Sequence, residues 1–215
     1  MIRALACLIL LGAAYITYRK TGSQNGENFT ALEVPDWIST VGEAAARAVD
    51  YVEGAVLNTS AMRGMNPALL NNANVKAFLR VIRTGEGTAD TDGYRRIFGG
   101  QLFTSYADHP RIKVTKGGYT STAAGAYQFL VRTWDETRRI MGLPDFSPGS
   151  QDLGALGRIA ARNALSDLLN GEFESALTKC AWEWASLPGS PYGQPTITMT
   201  RAVSVYLENG GTIKK

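Results

Sequence analysis

The sequence predicts an α+β fold that is mainly helical and contains a small antiparallel sheet. From residue 75 onward, apolar residues recur at helical spacing in five separate stretches. Two short β-like pieces lie between the first and the second of these stretches, and one of them contains a glycine turn. The order of the elements, one helix, then a small sheet and then several helices, is typical of α+β domains.

The first helix and the sheet are predicted from capping and turn residues. Asn74 can cap a helix that begins at Val75, and Gly85 ends that helix. The β-like pieces cover residues 94–103 and 111–119, and the turn in the second piece carries two consecutive glycines. We therefore expect a short helix followed by a small sheet of two pieces.

The remaining part of this region is predicted to be helical. Ser147 followed by Pro148 is a typical helix start, and Gly142 and the pair Gly210 and Gly211 are typical helix ends. These signals bound helices over residues 129–141, 150–169, 172–185 and 198–209.

The composition is that of a globular protein and argues against several functions. Of the 215 residues, 45% are hydrophobic and 19% are charged. The net charge is only +3, too small to indicate nucleic acid as a partner, although the positive excess lies after residue 74 and suits an anionic polymer. Cys7 and Cys180 form no disulfide framework, and His109 is the only histidine, so we expect no metal and no cofactor.

Residues 1–20 are predicted to be a transmembrane or signal-anchor segment. Residues 4–18 are apolar and uncharged, with Arg3 before them and Arg19 and Lys20 after them. A helix of this length rises about 22 Å, short of the roughly 30 Å hydrocarbon core. No small-residue cleavage site closes the run. An uncleaved membrane anchor therefore fits best, and a cleaved signal peptide or a small packed helix stays open.

Residues 21–74 are predicted to be a linker that contains an amphipathic helix. The polar residues 21–28 are typical of flexible segments. Valines, alanines and an isoleucine in residues 37–57 fall on one helical stripe, which packs on protein, on a partner helix or on a membrane surface. Residues 58–74 contain a glycine, a proline and several asparagines and are predicted to be a second linker.

Glu86 is the candidate catalytic residue. It lies between Gly85 and Gly87 at the end of the first predicted helix, where a side chain can project into a cleft. A helix C-terminus disfavours a negative charge, and partial burial acts in the same direction. Both effects keep a carboxyl protonated near neutral pH, which is the state that a general acid needs. Taken alone, a solvated loop glutamate is the simpler interpretation.

Two further motifs carry candidate substrate-binding residues. In residues 121–129, small residues precede Tyr127 and Gln128, and a glycine allows the backbone to lie against a sugar while an amide donates to and accepts from an acetamido group. In residues 181–194, Trp182 and Trp184 precede a loop of prolines and glycines, as in sugar-binding clefts, although one of the two tryptophans is expected in the core.

Together these motifs resemble one family in the same order and spacing. The matching stretches are residues 76–79, 86–88, 99–104 with Tyr106, 108–111, Gly125 with Tyr127 and Gln128, 143–148 with 150–152, 184–189, and 192–194. Residues 75–212 resemble the lambda-type phage endolysins, which are lytic transglycosylases with a lysozyme-like fold. The resemblance covers about two thirds of the chain and does not include residues 1–74.

The resemblance implies a role for each matching residue. Glu86 falls on the family's catalytic glutamate, and the family's glycan-binding positions correspond here to Ser121, Gly125, Tyr127, Gln128, Ser186, Tyr192 and Gln194. His109 falls in a loop that we interpret as structural. Positions 123, 124 and 126 are alanines, whereas the resemblance leads us to expect more polar residues there. This difference affects the expected affinity for glycan but not the expected chemistry. Residues 75–215 are thereby expected to be a lysozyme-like catalytic domain.

Three functions follow from these residues. The first is a lytic transglycosylase that acts on peptidoglycan with one carboxyl, Glu86. The second is a muramidase that hydrolyses the same bond, with Asp90 or Asp92 placing a water. The third is a glycan-binding membrane or virion protein without catalysis. The anchor-like segment places the catalytic domain in the periplasm or cell envelope, for phage lysis or for local wall penetration with virion or envelope proteins as partners.

Overall fold

The computed structural model of the protein describes residues 57–214. The anchor predicted for residues 1–20 lies outside the described residues, as does the amphipathic helix predicted for residues 37–57 apart from its last residue. No helix formed by residues 57–214 is long and apolar enough to cross a membrane. In this region the mainly helical α+β prediction with a small antiparallel sheet is confirmed.

The sequence predicts that residues 58–74 are a linker, but in the structure they pack against the rest of the domain. They form the 3-10 helices Thr59–Met62 and Pro67–Asn71, and the backbone N–H of Asn58 donates to the carbonyl of Ala161 at 2.8 Å. The Met62 side chain is fully buried, and its Cε would lie 3.6 Å from a β-carbon at Gly157 of α3, within ordinary van der Waals contact. The linker prediction is wrong here because one buried methionine anchors a segment whose other residues suit loops and short turns equally well.

Helix α1 spans Ala73–Gly85 and presents one apolar face to the core. Its N-cap is Asn72, whose side chain accepts a hydrogen bond from the N–H of Val75, so the helix begins two residues before the predicted start. The predicted cap, Asn74, is instead buried and bonds the Leu168 carbonyl at 3.1 Å and the Thr212 N–H at 2.8 Å. The predicted end at Gly85 is confirmed.

The sheet is one antiparallel hairpin. Strand β1 spans Val114–Lys116 and strand β2 spans Tyr119–Ser121. The turn residues Gly117 and Gly118 both have positive φ, which explains the two glycines. Both strands therefore come from the second predicted piece and its flank. The first piece, residues 94–103, forms isolated bridges instead of a strand.

Five helices follow the hairpin: α2 Val131–Met141, α3 Pro148–Ala161, α4 Leu165–Leu169, α5 Phe173–Cys180 and α6 Met199–Glu208. Gly142 ends α2 with a left-handed φ of 67° and the Ser147 side chain caps α3, as predicted, whereas Thr198, predicted as the first residue of the last helix, is the N-cap of α6. The single helix predicted over residues 150–169 is two helices because Asn163 adopts a φ of 55° between them. The helix predicted over residues 172–185 stops at Cys180, so the residues after it form a turn.

The core surrounds α3, which is buried along most of its length. An aromatic cluster closes one side of it, with Trp134 and Phe146 in edge contact at a ring-centroid distance of 4.6 Å and Phe129 against Trp134 at 5.3 Å. On the other side, α1 packs against α6. This core fixes the end of α1, the residues after β2 and the turn after α5, and these three segments border one cleft.

Candidate active site

An open cleft of about 700 Å³ contains most of the predicted site residues. Of the eight candidates, the six that border the cleft are Glu86, Ser121, Tyr127, Gln128, Ser186 and Gln194. Gly125 and Tyr192 are not among its lining residues. The structure therefore brings together side chains that are as many as 108 positions apart in the printed sequence, from Glu86 to Gln194.

Glu86 lies at the C-cap of α1, where its backbone N–H donates to the Ile82 carbonyl at 2.9 Å. Its side-chain Oε1 accepts a hydrogen bond of 2.7 Å from the Ser186 hydroxyl. Burial of the carboxyl raises the pKa of Glu86 to about 7, against the hydrogen bond from Ser186, which lowers it. A substantial fraction of Glu86 is therefore protonated at neutral pH, as the sequence predicted for a general acid.

Gly85 makes this hydrogen bond possible. A β-carbon at position 85 would lie 2.6 Å from the Ser186 Oγ and 3.2 Å from its Cβ. Any side chain at this position would push the hydroxyl away from the carboxyl. The glycine before Glu86 is thus required by the close approach of Ser186, a contact that no local pattern in the sequence indicates.

Gly125 is a buried glycine in the loop that carries the cleft residues Tyr127 and Gln128. It has a φ of 77°, and a β-carbon there would lie 2.8 Å from Cδ of Gln151 and 2.9 Å from Cζ of Phe146. The same Gln151 side chain accepts from the N–H of Ala126 at 2.8 Å. The absent side chain therefore allows close packing of the loop on α3. The close approach that the structure shows is to the protein's own helix, and the approach of this backbone to a sugar stays a prediction.

The side-chain hydrogen-bond donors of Tyr127 and Gln128 bind other groups of the protein. The Tyr127 hydroxyl donates to Oδ1 of Asp152 at 2.6 Å, and its residue is only 2% exposed. The Gln128 amide nitrogen donates to the Gly125 carbonyl at 2.9 Å and to the Arg96 carbonyl at 3.1 Å. These bonds hold Gln128 at a φ of 47°, which L-residues rarely adopt. The amide N–H donors predicted for an acetamido group are thus occupied internally.

The opposite wall is the turn that follows α5. Trp184 is 4% exposed and its indole N–H donates to the Tyr127 carbonyl at 3.2 Å, so it is the tryptophan that belongs to the core. Gln194 is exposed and borders the cleft, whereas Ser121 lines it from the end of β2. Tyr192 does not line the cleft. It is 52% exposed, and its hydroxyl donates to the Trp182 carbonyl at 2.9 Å.

Sequence reasoning missed Glu183, the second carboxyl that borders the cleft. Its side chain is 8% exposed and accepts from Arg158 at 2.7 Å and from Arg162 at 3.0 Å. Arg158 and Arg162 are four residues apart and so share one helix face at the end of α3. That spacing is the only signal in the sequence for a buried acidic partner.

Asp90 and Asp92, the candidates for a second catalytic carboxylate, lie outside the cleft lining. The Asp90 side chain is 56% exposed and pairs with Arg96 at 2.7 Å, which holds the pKa of Asp90 below its usual range. Asp92 pairs with Arg95 at 3.1 Å. Both carboxylates are therefore engaged by arginines of the following segment.

His109 has a structural role, as predicted. It is 2% exposed, its Nε2 lies 2.8 Å from the Phe129 carbonyl oxygen, and its Nδ1 accepts from the N–H of Arg111 at 3.1 Å. Burial lowers the pKa of His109, which favours the neutral ring. Within residues 57–214, no group of three or more histidine, cysteine, aspartate or glutamate side chains is placed to hold a metal ion.

A mainly helical domain with one hairpin and a cleft that contains a glutamate of raised pKa is typical of lysozyme-like proteins. Two solved structures of lysozyme from bacteriophage lambda share this fold. One, a complex with a chitohexasaccharide, is 43% identical with a TM-score of 0.63 and covers 66% of this chain and 97% of that one. The other is 42% identical with a TM-score of 0.59 over the same shares of the two chains.

Sequence comparison gives the same relatives. A family model described as Endolysin matches residues 76–213. The endolysin of Escherichia phage lambda is 43% identical over 153 residues, which are 68% of this chain and 96% of that protein. The endolysin of Escherichia phage P2 is 39% identical over 161 residues, or 67% of this chain and 98% of the relative. The chain belongs to the endolysin family, which confirms the resemblance seen in the motifs.

Proposed function

We propose that this protein is a lytic transglycosylase that cleaves the β-1,4 bond between N-acetylmuramic acid and N-acetylglucosamine in peptidoglycan. The observation that carries the proposal is the state of Glu86. It is a partly buried carboxyl in an open cleft, its pKa is about 7, and its side-chain partner is a serine hydroxyl. Such a group can give up a proton and take one back near neutral pH.

Glu86 acts twice in this reaction. As an acid it protonates the glycosidic oxygen, the bond from that oxygen to the muramoyl C1 breaks, and the N-acetylglucosamine side leaves as an alcohol. As a carboxylate it then accepts the proton of the muramoyl C6 hydroxyl while O6 bonds to C1 and closes a 1,6-anhydro ring. The neighbouring acetamido group stabilises the oxocarbenium-like centre. Glu86 ends protonated, and no water is consumed.

The distribution of carboxyls supports the single-carboxyl route. Hydrolytic glycosidases of the two-carboxylate type need a partner about 5 Å away for retention or roughly 6.5–9.5 Å away for inversion. Glu183 is the other carboxyl that borders the cleft, and Arg158 and Arg162 bind it. Asp90 and Asp92 pair with arginines outside the lining. Glu86 thus has no free carboxylate partner among the cleft residues.

The relatives support a glycan as the substrate. The lambda lysozyme structure was obtained as a complex with a chitohexasaccharide, and it covers 66% of this chain with 43% identity. We extend this binding of a β-linked amino-sugar chain to the present cleft, whose walls carry the hydroxyl of Ser121 and the amide of Gln194. The chemistry requires no metal and no cofactor.

Mass spectrometry of the reaction products tests the proposal. The full chain is incubated with purified peptidoglycan, and the Glu86→Gln variant serves as the control. We expect soluble products that end in 1,6-anhydromuramic acid and are lighter than hydrolytic ends by one water. Reducible muramic acid ends would make the protein a muramidase. Unaltered glycan with both proteins, together with retained binding, would make it a glycan-binding module without catalysis.

We further propose that residues 1–20 hold the catalytic domain at the membrane, on the envelope side, for phage lysis or for local penetration of the wall. The apolar run at residues 4–18 supports this proposal. Fractionation of cells that produce the full chain or a chain without residues 1–20 tests it. We expect the first in the membrane fraction and the second in the soluble fraction, and equal behaviour of the two would exclude the anchor.

A further inference from the structure

We propose that Ser186 is a positioning residue for Glu86, whose hydroxyl occupies one carboxyl oxygen so that the proton handled in the reaction is carried by the other oxygen. This inference rests on the proposed function of Glu86 and adds a role for Ser186 distinct from sugar binding. The hydroxyl donates to Oε1 at a distance of 2.7 Å, within the normal range for an O–H···O hydrogen bond.

The position of the hydroxyl is set by a network of hydrogen bonds around the turn. The Ser186 carbonyl accepts from the N–H of Ile197 at 2.9 Å, and the N–H of Leu187 donates to the Trp184 carbonyl at 3.1 Å. The Trp184 indole in turn donates to the Tyr127 carbonyl on the other side of the cleft. Leu187 is fully buried and Trp184 nearly so. The turn that carries Ser186 is thereby attached to the core on both sides of the serine.

Gly85 shows that the approach of Ser186 to the end of α1 is a built feature. A glycine inside a helix is destabilising relative to alanine. A β-carbon at this position would lie 2.6 Å from Ser186 Oγ, a distance that real β-carbons do not show. Gly85 has no left-handed φ that would explain the glycine by itself. The contact with Ser186 is the steric reason for a glycine in the last turn of α1.

The direction of the hydrogen bond assigns the proton. Because Ser186 donates to Oε1, we assign the acidic proton of Glu86 to Oε2, the oxygen that does not accept from Ser186. Ser186 keeps its own proton in both steps and bonds the carboxylate more strongly than the neutral acid. In the opposite arrangement, Glu86 would donate to Ser186, and the proton needed for catalysis would be held by the protein.

Titration of the Glu86 carboxyl by ¹³C NMR in the full chain tests the inference. In Ser186→Ala the pKa of Glu86 should rise by about one unit, because the carboxylate loses a hydrogen-bond donor. The alkaline limb of the pH–rate profile should move by the same amount. An unchanged or lowered pKa would overturn the proposal, since a serine that accepts from the neutral acid or only touches sugar gives those results. Ser186→Thr retains the hydroxyl and should restore most of the wild-type pKa.

Further variants test whether the result for Ser186→Ala comes from the lost hydrogen bond and not from misfolding of the turn. Gly85→Ala should displace the hydroxyl and raise the pKa of Glu86 as Ser186→Ala does, and the double variant should show no further rise. Gly149→Ala is the control, because position 149 is exposed in α3 with nothing within 4 Å of an added β-carbon. An additive effect in the double variant would show that Gly85 acts independently of Ser186.

The titration also separates the two proposals. It reports on the carboxyl without substrate, so a pKa response persists even when the products carry hydrolytic ends. Anhydro products combined with an unresponsive pKa would instead retain the proposed function and reject the role of Ser186. Each proposal can therefore fail alone.

Discussion

Two glutamates border the same cleft in opposite environments. Glu183, in the turn after α5, is 8% exposed and lies within 3.0 Å of nitrogens of both Arg158 and Arg162. Glu86, at the end of α1, has a serine hydroxyl as its side-chain partner, and its pKa is about 7. Burial disfavours a charge at both positions, but only Glu183 has cations that compensate for it.

The partner of each side chain therefore distinguishes Glu183, which two arginines bind, from Glu86, the proposed reactive carboxyl. The arginine pair ties Glu183 to α3 and holds the turn that carries Ser186, so the structural glutamate contributes to the geometry around the reactive one. Glu86 can exchange a proton because, within residues 57–214, its carboxyl forms no ion pair and its pKa is about 7. We expect the variants below to affect either chemistry or stability according to this division.

The largest expected effect is the loss of activity in Glu86→Gln. The amide preserves the shape of the side chain but cannot protonate a glycosidic oxygen, so cleavage of peptidoglycan should fall by about a thousand-fold or more. The release of soluble glycan from purified peptidoglycan measures this rate. Retention of full activity would remove Glu86 from the catalytic role and would erase the distinction between the two glutamates.

The next effect is the loss of stability in Glu183→Gln. Removal of the buried charge leaves Arg158 and Arg162 poorly compensated, and we expect the free energy of unfolding to fall by about 3 kcal/mol. Denaturant unfolding measures this change. Glu136→Gln is the matched control, since Glu136 also pairs with Arg158 but its side chain is 39% exposed, and it should cost about 1 kcal/mol or less.

A smaller effect is expected on the pH dependence of stability. The pKa of Glu86 is about 7 in the folded protein and near its ordinary value of 4.5 in the unfolded chain. Between these values the folded state binds more protons, so the free energy of unfolding decreases as the pH rises from 4.5 to 7. Glu86→Gln should remove this decrease and be more stable than the wild type at pH 8, by on the order of 2 kcal/mol. Identical pH profiles of stability for the two proteins would contradict the raised pKa.

The smallest effect is expected in Asp90→Asn. Asp90 is exposed and pairs with Arg96 outside the cleft lining, so the rate of glycan release should stay within about threefold of the wild-type rate. Asp92→Asn should behave in the same way. A loss as large as that of Glu86→Gln would identify a second catalytic carboxylate and would favour the hydrolytic mechanism.

Local patterns predicted most helices because their signals lie within a few residues. Ser147 caps a helix and Gly142 ends one in the structure as they do in the prediction. The errors lie where a distant contact overrides local composition. The 3-10 helix that carries Met62 packs on α3, some 95 residues later in the chain, and no local signal indicates this contact.

The same division holds for the candidate site. The motifs located the cleft segments, and six of the eight candidate residues border the cleft. The roles of the individual residues were harder to predict from the sequence, because Gly125 and Gln128 contact residues of other segments. Gly125 packs against Gln151 in the structure, and its contact with a sugar stays a prediction. A glycine in a sequence indicates a close approach but not the partner that approaches.

The sequence by itself determined the helical α+β class, the family and the choice of Glu86, because caps, spacing and ordered motifs are local properties of a chain. Only the tertiary structure decided the chemistry of that glutamate. Ser186 lies 100 positions away and reaches the carboxyl because Gly85 leaves it room. Arg158 and Arg162 pair with Glu183, the other glutamate that borders the cleft. A pKa depends on desolvation and on nearby charges in space, and folding alone sets both.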